Sequence, residues 1–251
     1  MIDLDAIEFQ YEPFPIGLAS PVIAPDLYRE MVSDYPPLEL FEHTPGTGLK
    51  YVLSEKNHPK AYRDYIESRP HWREFHRYLK SRDFIRYVLA TLERKHIDIG
   101  LESALAPRSV IVARSLAALL RGQAPHNATR LQTTFQFSTL PGDGGFIRPH
   151  TDSPKKRITL ILSILGEGEW DPAHGGGTDL NRAKNPEDSY NWSNRSLDFE
   201  DVEILRTYEF LPNQCVLFVK TFNSLHSVRP MTAPARETAR RTLTINLSIE
   251  R

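Results

Sequence analysis

Near residue 129 the hydrophobic period of this 251-residue chain changes from 3.6 to 2, and that switch limits the fold more than any single motif. Leu131, Thr133, Phe135 and Phe137 alternate with Arg130, Gln132, Thr134, Gln136 and Ser138, as the two faces of a half-buried strand do. Further strand signatures follow at 157–165, 202–210, 214–220 and 240–249, with PGDGG, GGG and LPN between them as turn punctuation. Short strands without intervening helices predict an antiparallel barrel or double-sheet jelly roll. Upstream of the switch the pattern is helical. Pro25-Asp26 opens a helix with Leu27, Met31 and Tyr35 on one face, and 70–96 carries Trp72, Phe75, Leu79, Ile85, Val88, Leu89 and Leu92 at helical spacing. That stretch reads as one long amphipathic helix or two broken near Ser81, and its aromatic residues as a core face. The expected architecture is a mainly β single domain, 1–251, in which a mainly helical part, 1–128, packs against a β core, 129–251.

Composition narrows the function classes. A net charge of -1 gives no global field that favours nucleic acid or an anionic membrane, so neither is an expected partner. The single cysteine, Cys215, can form neither an internal disulfide nor a Cys-based zinc cluster and reads as inert core. The acidic N-terminus lacks a signal-peptide pattern, and no apolar run approaches the roughly 20 residues of a membrane span. A soluble, cytoplasmic protein is expected. Its oligomeric state is not legible. One polar, aperiodic segment, 181–197, is too long for an ordinary hairpin loop and reads as a lid or a disordered stretch.

The chemistry-bearing pattern is His150-Thr151-Asp152. In an extended segment residues i and i+2 project to one face, so an imidazole and a carboxylate can converge on one metal ion. His96-Ile97-Asp98 has the same spacing but ends a helical pattern and reads as a solvated helix terminus. His150 instead lies between a Gly-rich turn and a strong strand. His226, just past the apolar 215–219 strand, is the candidate third ligand. Two His and one carboxylate leave open positions on an octahedral ion, the facial triad of non-haem Fe(II) oxygenases.

These residues resemble the Fe(II)/2-oxoglutarate-dependent dioxygenase superfamily, especially its prolyl-4-hydroxylase-like branch, over 131–247. The parts follow in the family's order: the HTD at 150–152, the strand with Arg157 and Thr159, the GGGTDL at 175–180 resembling a GG-turn, His226-Ser227-Val228, and RRTLTIN at 240–246. The resemblance implies a double-stranded β-helix (jelly roll), iron held by His150, Asp152 and His226, and a basic residue gripping the distal carboxylate of the cosubstrate 2-oxoglutarate. On the last strand Arg240, Thr242, Thr244 and Asn246 share a polar face while Arg241, Leu243, Ile245 and Leu247 share the other. Arg240 is therefore selected for the carboxylate, with Arg241 and Arg236 as runners-up. Ser163 stands where the family often has a Tyr for that carboxylate, and Thr159 is the other candidate. By resemblance, Fe(II), 2-oxoglutarate and O2 would hydroxylate a small polar molecule with release of succinate and CO2. Asp152 argues against halogenation, which in related enzymes goes with a small residue there. A protein side chain as substrate, a cupin-like hydrolase or isomerase, and a non-catalytic binding module are the alternatives. Gln132, Thr134 and Gln136 read equally as a site wall or a solvated face, Lys155-Lys156-Arg157 as solvated turn cations, and His174 as a loop residue. Tyr190 and Trp192, on the 181–197 segment, are placed to close over a small ligand.

Overall fold

The structure is a computed structural model that describes residues 1–44, 49–101, 105–122, 130–234 and 238–250. The expected changeover at 128–129 and the runner-up Arg236 lie outside the described residues.

The sheets follow from the alternating segments. Strand β1 (Glu8–Gln10), β2 (Ile16–Ala19), β3 (Glu42–Thr44), β4 (Lys50–Ser54), β5 (Leu131–Pro141), β7 (Lys156–Ser163), β10 (Cys215–Val219) and β12 (Ala239–Ile249) form one eight-stranded sheet in the order β1-β2-β10-β7-β12-β5-β4-β3. A second sheet has four strands, β6 (Ile147–His150), β8 (Thr178–Ala183), β9 (Val202–Tyr208) and β11 (His226–Val228), ordered β6-β11-β8-β9. All pairings are antiparallel. Phe14, Ile16, Val216 and Phe218 of the large sheet's side meet Leu180 and Tyr208 of the small one in a shared apolar cluster, so the inner faces pack together.

The other face of the large sheet is covered by helices α1 (Pro25–Ser33), α2 (Pro59–Glu67), α3 (Pro70–Leu79) and α4 (Arg82–Arg94). Trp72 sets its ring edge-on to Phe137 at 4.9 Å and is fully buried. Phe135, Leu160, Leu162, Leu243, Ile245 and Leu247 share that layer with Phe75, Leu79, Phe84, Val88 and Leu92. Each such side chain contributes roughly 1.5–3 kcal/mol when buried. The 70–96 stretch is two helices, divided where Ser81 caps α4 by accepting the Phe84 N–H at 3.1 Å. A fifth helix, α5 (Arg108–Leu120), keeps Val112, Leu116, Leu119 and Leu120 exposed.

The N-terminal part departs from the expected helical half. It supplies β1 to β4, which extend both ends of the large sheet. At three to five residues each, these strands are too short to display a period of 2.

Candidate metal centre

His150 ends β6 and His226 begins β11, and the two residues are direct cross-strand partners in the small sheet. Their rings lie 4.3 Å apart, and the ring of Phe218 backs His226 at 4.2 Å. Each imidazole is oriented by a backbone carbonyl two residues upstream, Nδ1 of His150 by Arg148 (2.8 Å) and Nδ1 of His226 by Ser224 (3.0 Å). A carbonyl only accepts, so each Nδ1 carries the proton and each Nε2 presents its lone pair. His226 is held neutral: burial, reinforced by the neighbouring His150, lowers its pKa to about 3.

Asp152 completes the group by a route the i, i+2 argument did not foresee. The strand stops at His150, and Asp152 takes a left-handed backbone (φ 70°) that turns the chain back and directs its carboxylate at the imidazoles. Oδ1 lies 3.7 Å from His150 Nε2, and one ligand atom from each of the three residues can be chosen with all three within 4.8 Å of one another. Asp152 is only 5% exposed. Burial alone would raise its pKa, but the Lys156 ammonium beside it holds it well below the usual carboxylate range. The Thr159 hydroxyl donates to Oδ2 at 2.9 Å, and the Lys156 ammonium donates to Oδ1 at 2.6 Å. Two imidazoles and one ionised carboxylate converging at this range are the donor chemistry that a facial Fe(II) site needs.

The triad opens into a cleft of about 220 Å³ between the sheets, walled by Ser138, Leu140, Thr159, Ile161, Thr242 and Thr244 among others. Arg240 lies in the same wall, 4% exposed, and burial lowers its pKa to about 10, so it stays cationic at neutral pH. Its Nε donates to the Gly176 carbonyl, and its guanidinium carbon sits 5.0 Å from the Phe210 ring centre. The triple glycine builds that contact. Gly176 has φ +82°, and a Cβ at Gly177 would fall 2.6 Å from Thr207 Cγ2. No carboxylate forms an ion pair with Arg240 among the described residues. Arg241, by contrast, faces the other way and pairs with Glu169.

Several expected residues fall elsewhere. Ser163 lies beyond Ile161, outside the cleft lining, with its N–H donating to Gln214 O (2.9 Å) and its carbonyl accepting from the Tyr28 hydroxyl (3.1 Å). Thr159 does reach the site, but its hydroxyl is turned to Asp152. Gln132, Thr134 and Gln136 stop short of the cleft, which is walled by the next residues on their face, Ser138 and Leu140. Lys155 is exposed as expected of a turn cation, whereas Lys156 lines the cleft and Arg157 stacks at 5.3 Å on Trp192. The 181–197 segment begins as β8 and is then pinned beside the triad. The Thr151 hydroxyl donates to the carbonyl of the buried Asn191, Lys220 donates to Thr151 Oγ1 at 2.8 Å, and Leu197 N donates to Pro149 O at 2.9 Å. Asn194 reaches the cleft wall, while Tyr190 is 72% exposed and stacked on Phe222. Lys50, at the start of β4, also lines the cleft, and no pattern in the sequence pointed to it.

The profile of the 2OG-Fe(II) oxygenase superfamily matches residues 135–248. No curated protein matches the chain. Among solved structures the chain is similar to a Pseudomonas putida prolyl-4-hydroxylase at 15% identity, covering 99% of this chain and 96% of that one with a TM-score of 0.49. It is also similar to a Trichoplax adhaerens prolyl hydroxylase in complex with a hypoxia inducible factor peptide fragment (10% identity, 93% and 83% covered, TM-score 0.47). A third is a Burkholderia pseudomallei oxidoreductase of the 2OG-Fe(II) oxygenase family (12% identity, 93% and 84% covered, TM-score 0.46). The matched segment contains His150, Asp152, His226 and Arg240. Residues 135–248 thus match the 2OG-Fe(II) oxygenase superfamily, whose members use Fe(II), 2-oxoglutarate and O2, and they contain the His150, Asp152 and His226 group.

Proposed function

We propose that the protein is a hydroxylase of a small polar molecule, built on a double-stranded β-helix of the prolyl-4-hydroxylase-like branch, with His150, Asp152 and His226 as the iron ligands. The observation that carries this reading is Arg240. A buried guanidinium without an acidic partner among the described residues shares one small cleft with the triad, and its fork suits a carboxylate. A hydrolytic metal site or an empty binding module has no need of that pairing.

In this reading Nε2 of both histidines and one Asp152 oxygen hold the ion, and Thr159 keeps the carboxylate from rotating. Arg240, itself fixed by Gly176 and Phe210, orients the distal carboxylate of 2-oxoglutarate. When bound, iron with 2-oxoglutarate and O2 supplies the oxidising power: the keto acid gives succinate and CO2, and one oxygen atom enters a substrate C–H bond. The segment pinned through Asn191 covers the triad's flank, and a cleft of about 220 Å³ favours a small substrate over a protein segment. The N-terminal part contributes to the substrate side through Lys50. Anaerobic addition of Fe(II) and 2-oxoglutarate is expected to produce the weak visible metal-to-ligand charge-transfer band; folded, iron-loaded protein without it would overturn the proposal. A screen scored by succinate release then separates small molecules from peptides.

A further inference from the structure

Two cleft lysines, Lys50 and Lys156, hold neither the iron nor 2-oxoglutarate in that reading. Lys50 is half-buried, and no hydrogen bond or ion pair of its ammonium is found among the described residues. Lys156 has one partner, Asp152 Oδ1, which is the oxygen that faces His150 Nε2. An unpaired ammonium drawn partly out of water is costly, and a cleft that keeps one is organised for something that is not part of the chain.

The register tells where Lys50 acts. Val52 pairs with Ser138 and Tyr51 with Thr139, which puts Lys50 opposite Leu140, and Leu140 in turn pairs with Arg240. The backbones of Lys50 and Arg240 are thus two strand spacings apart, roughly 10 Å. The charges that act on the Lys50 ammonium fall in the order Lys156, Asp152, Arg240. Its side chain lines the same cleft as Lys156, Asp152 and Arg240.

Charge balance gives the ligand's sign. In the loaded site Asp152 and one carboxylate of 2-oxoglutarate would match the ferrous dication, and the distal carboxylate would match Arg240. Asp152, which now neutralises Lys156, would then be matched to the ion. Two ammonium groups facing one small space are left without counter-charge, and like charges so placed repel unless an anion lies between them.

We propose that Lys50 and Lys156 form a subsite for a carboxylate of the primary substrate, so that the molecule oxidised is a small carboxylic acid. This rests on the oxygenase reading and adds the substrate class to it.

The test uses the iron-loaded protein, saturated with 2-oxoglutarate under anaerobic conditions. The probes are free L-amino acids and short aliphatic and hydroxy acids, each beside its primary amide. Acids are expected to perturb the charge-transfer band, and on admission of air to stimulate succinate release, while their amides do neither. Lys50→Met should weaken the response to the best acid by roughly tenfold or more, the value of one charge-assisted contact. Lys50→Arg should restore most of it, which separates lost charge from lost folding. The 2-oxoglutarate concentration that half-saturates the band should move less than about twofold in either variant, since Arg240 carries that contact. Equal responses to acids and amides, or none from any acid, would overturn the subsite. A 2-oxoglutarate requirement raised as strongly as the acid requirement would overturn it too, by making Lys50 part of the cosubstrate clamp. Parental protein with no band at all would reject the oxygenase site beneath it, a failure visible before any probe is added.

Discussion

The chain contains two His-x-Asp sequences, and the contrast between them shows what turns a spacing into a site. Both place a buried residue in the middle, Ile97 in one and Thr151 in the other. Both use one left-handed residue, His96 at φ 58° and Asp152 at φ 70°. At 96–98 the flanks meet solvent just after α4, and Asp98 Oδ1 accepts the Gly100 N–H at 2.7 Å. At 150–152 they meet a second strand, β11, which presents His226 directly across from His150. The His–carboxylate pair is local, but the third side chain of the group requires the sheet.

The strongest way to break this comparison is to remove ligands from both. His150→Ala and His226→Ala should abolish ferrous binding, measured anaerobically by titration calorimetry, because two ligands cannot hold a labile ion at a facial site. His96→Ala should bind iron as the parent does. Equal losses in the two sequences would mean that the metal sits elsewhere.

A contrast of the same kind separates Arg240 from Arg241, neighbours on opposite faces of β12. Arg240→Met should raise the 2-oxoglutarate requirement on the order of 100-fold, the cost of about 3 kcal/mol for truncating one partner of a buried charge pair. Arg241→Met removes a half-exposed pairing with Glu169 and should leave that requirement unchanged. The reverse order would show that the inner face of β12 has been assigned wrongly. A smaller effect is expected at the carboxylate's support. Thr159→Val keeps the shape but loses the donor to Asp152 Oδ2, and iron affinity should fall by about tenfold, in the range for groups that orient a metal ligand. An unchanged affinity would mean that Lys156 and the ion alone fix the carboxylate.

The parts of the molecule differ in how far their sequence announced them. The large sheet's outer layer was legible because β5 and β12 are each eleven residues long and set apolar residues on one face against polar ones on the other, so alternation accumulates. The same alternation correctly put Arg240 inside and Leu243, Ile245 and Leu247 against the helices. The small sheet left almost no signal. β11 is three residues, all buried, and β8 buries five of its six, so neither shows the contrast a period needs. His150 and His226 were found by ligand chemistry and likeness to a family, not by reading β6 and β11 as strands. Asp152 meets the two histidines through a left-handed turn rather than through a continuing strand. Lys50 and Lys156 were missed or read as surface because a lysine at a strand's end is ordinarily solvated. Only the register across β4, β5 and β12 brings Lys50 to the cleft.

That charge surplus also separates the two His-x-Asp sequences, and the metal-free protein can report it without any ligand. Burial, with Lys156 and Arg240 acting in the same direction and Asp152 opposing them, lowers the Lys50 pKa to about 8 from its usual 10.5. The folded protein therefore disfavours the Lys50 cation, and the unfolded chain binds its proton more tightly. Below about pH 8 both states are protonated and the full penalty is present; between about 8 and 10.5 the folded state has released the proton first, and the penalty fades as the pH rises. Lys50→Met should accordingly melt a few degrees higher than the parent at pH 7 with chelator present, and the gap should narrow through that window. A Lys50→Met advantage that stayed constant from pH 7 to pH 10 would assign it to packing of the methionine, and the contrast between a charged cleft and a solvated helix end would lose its electrostatic content.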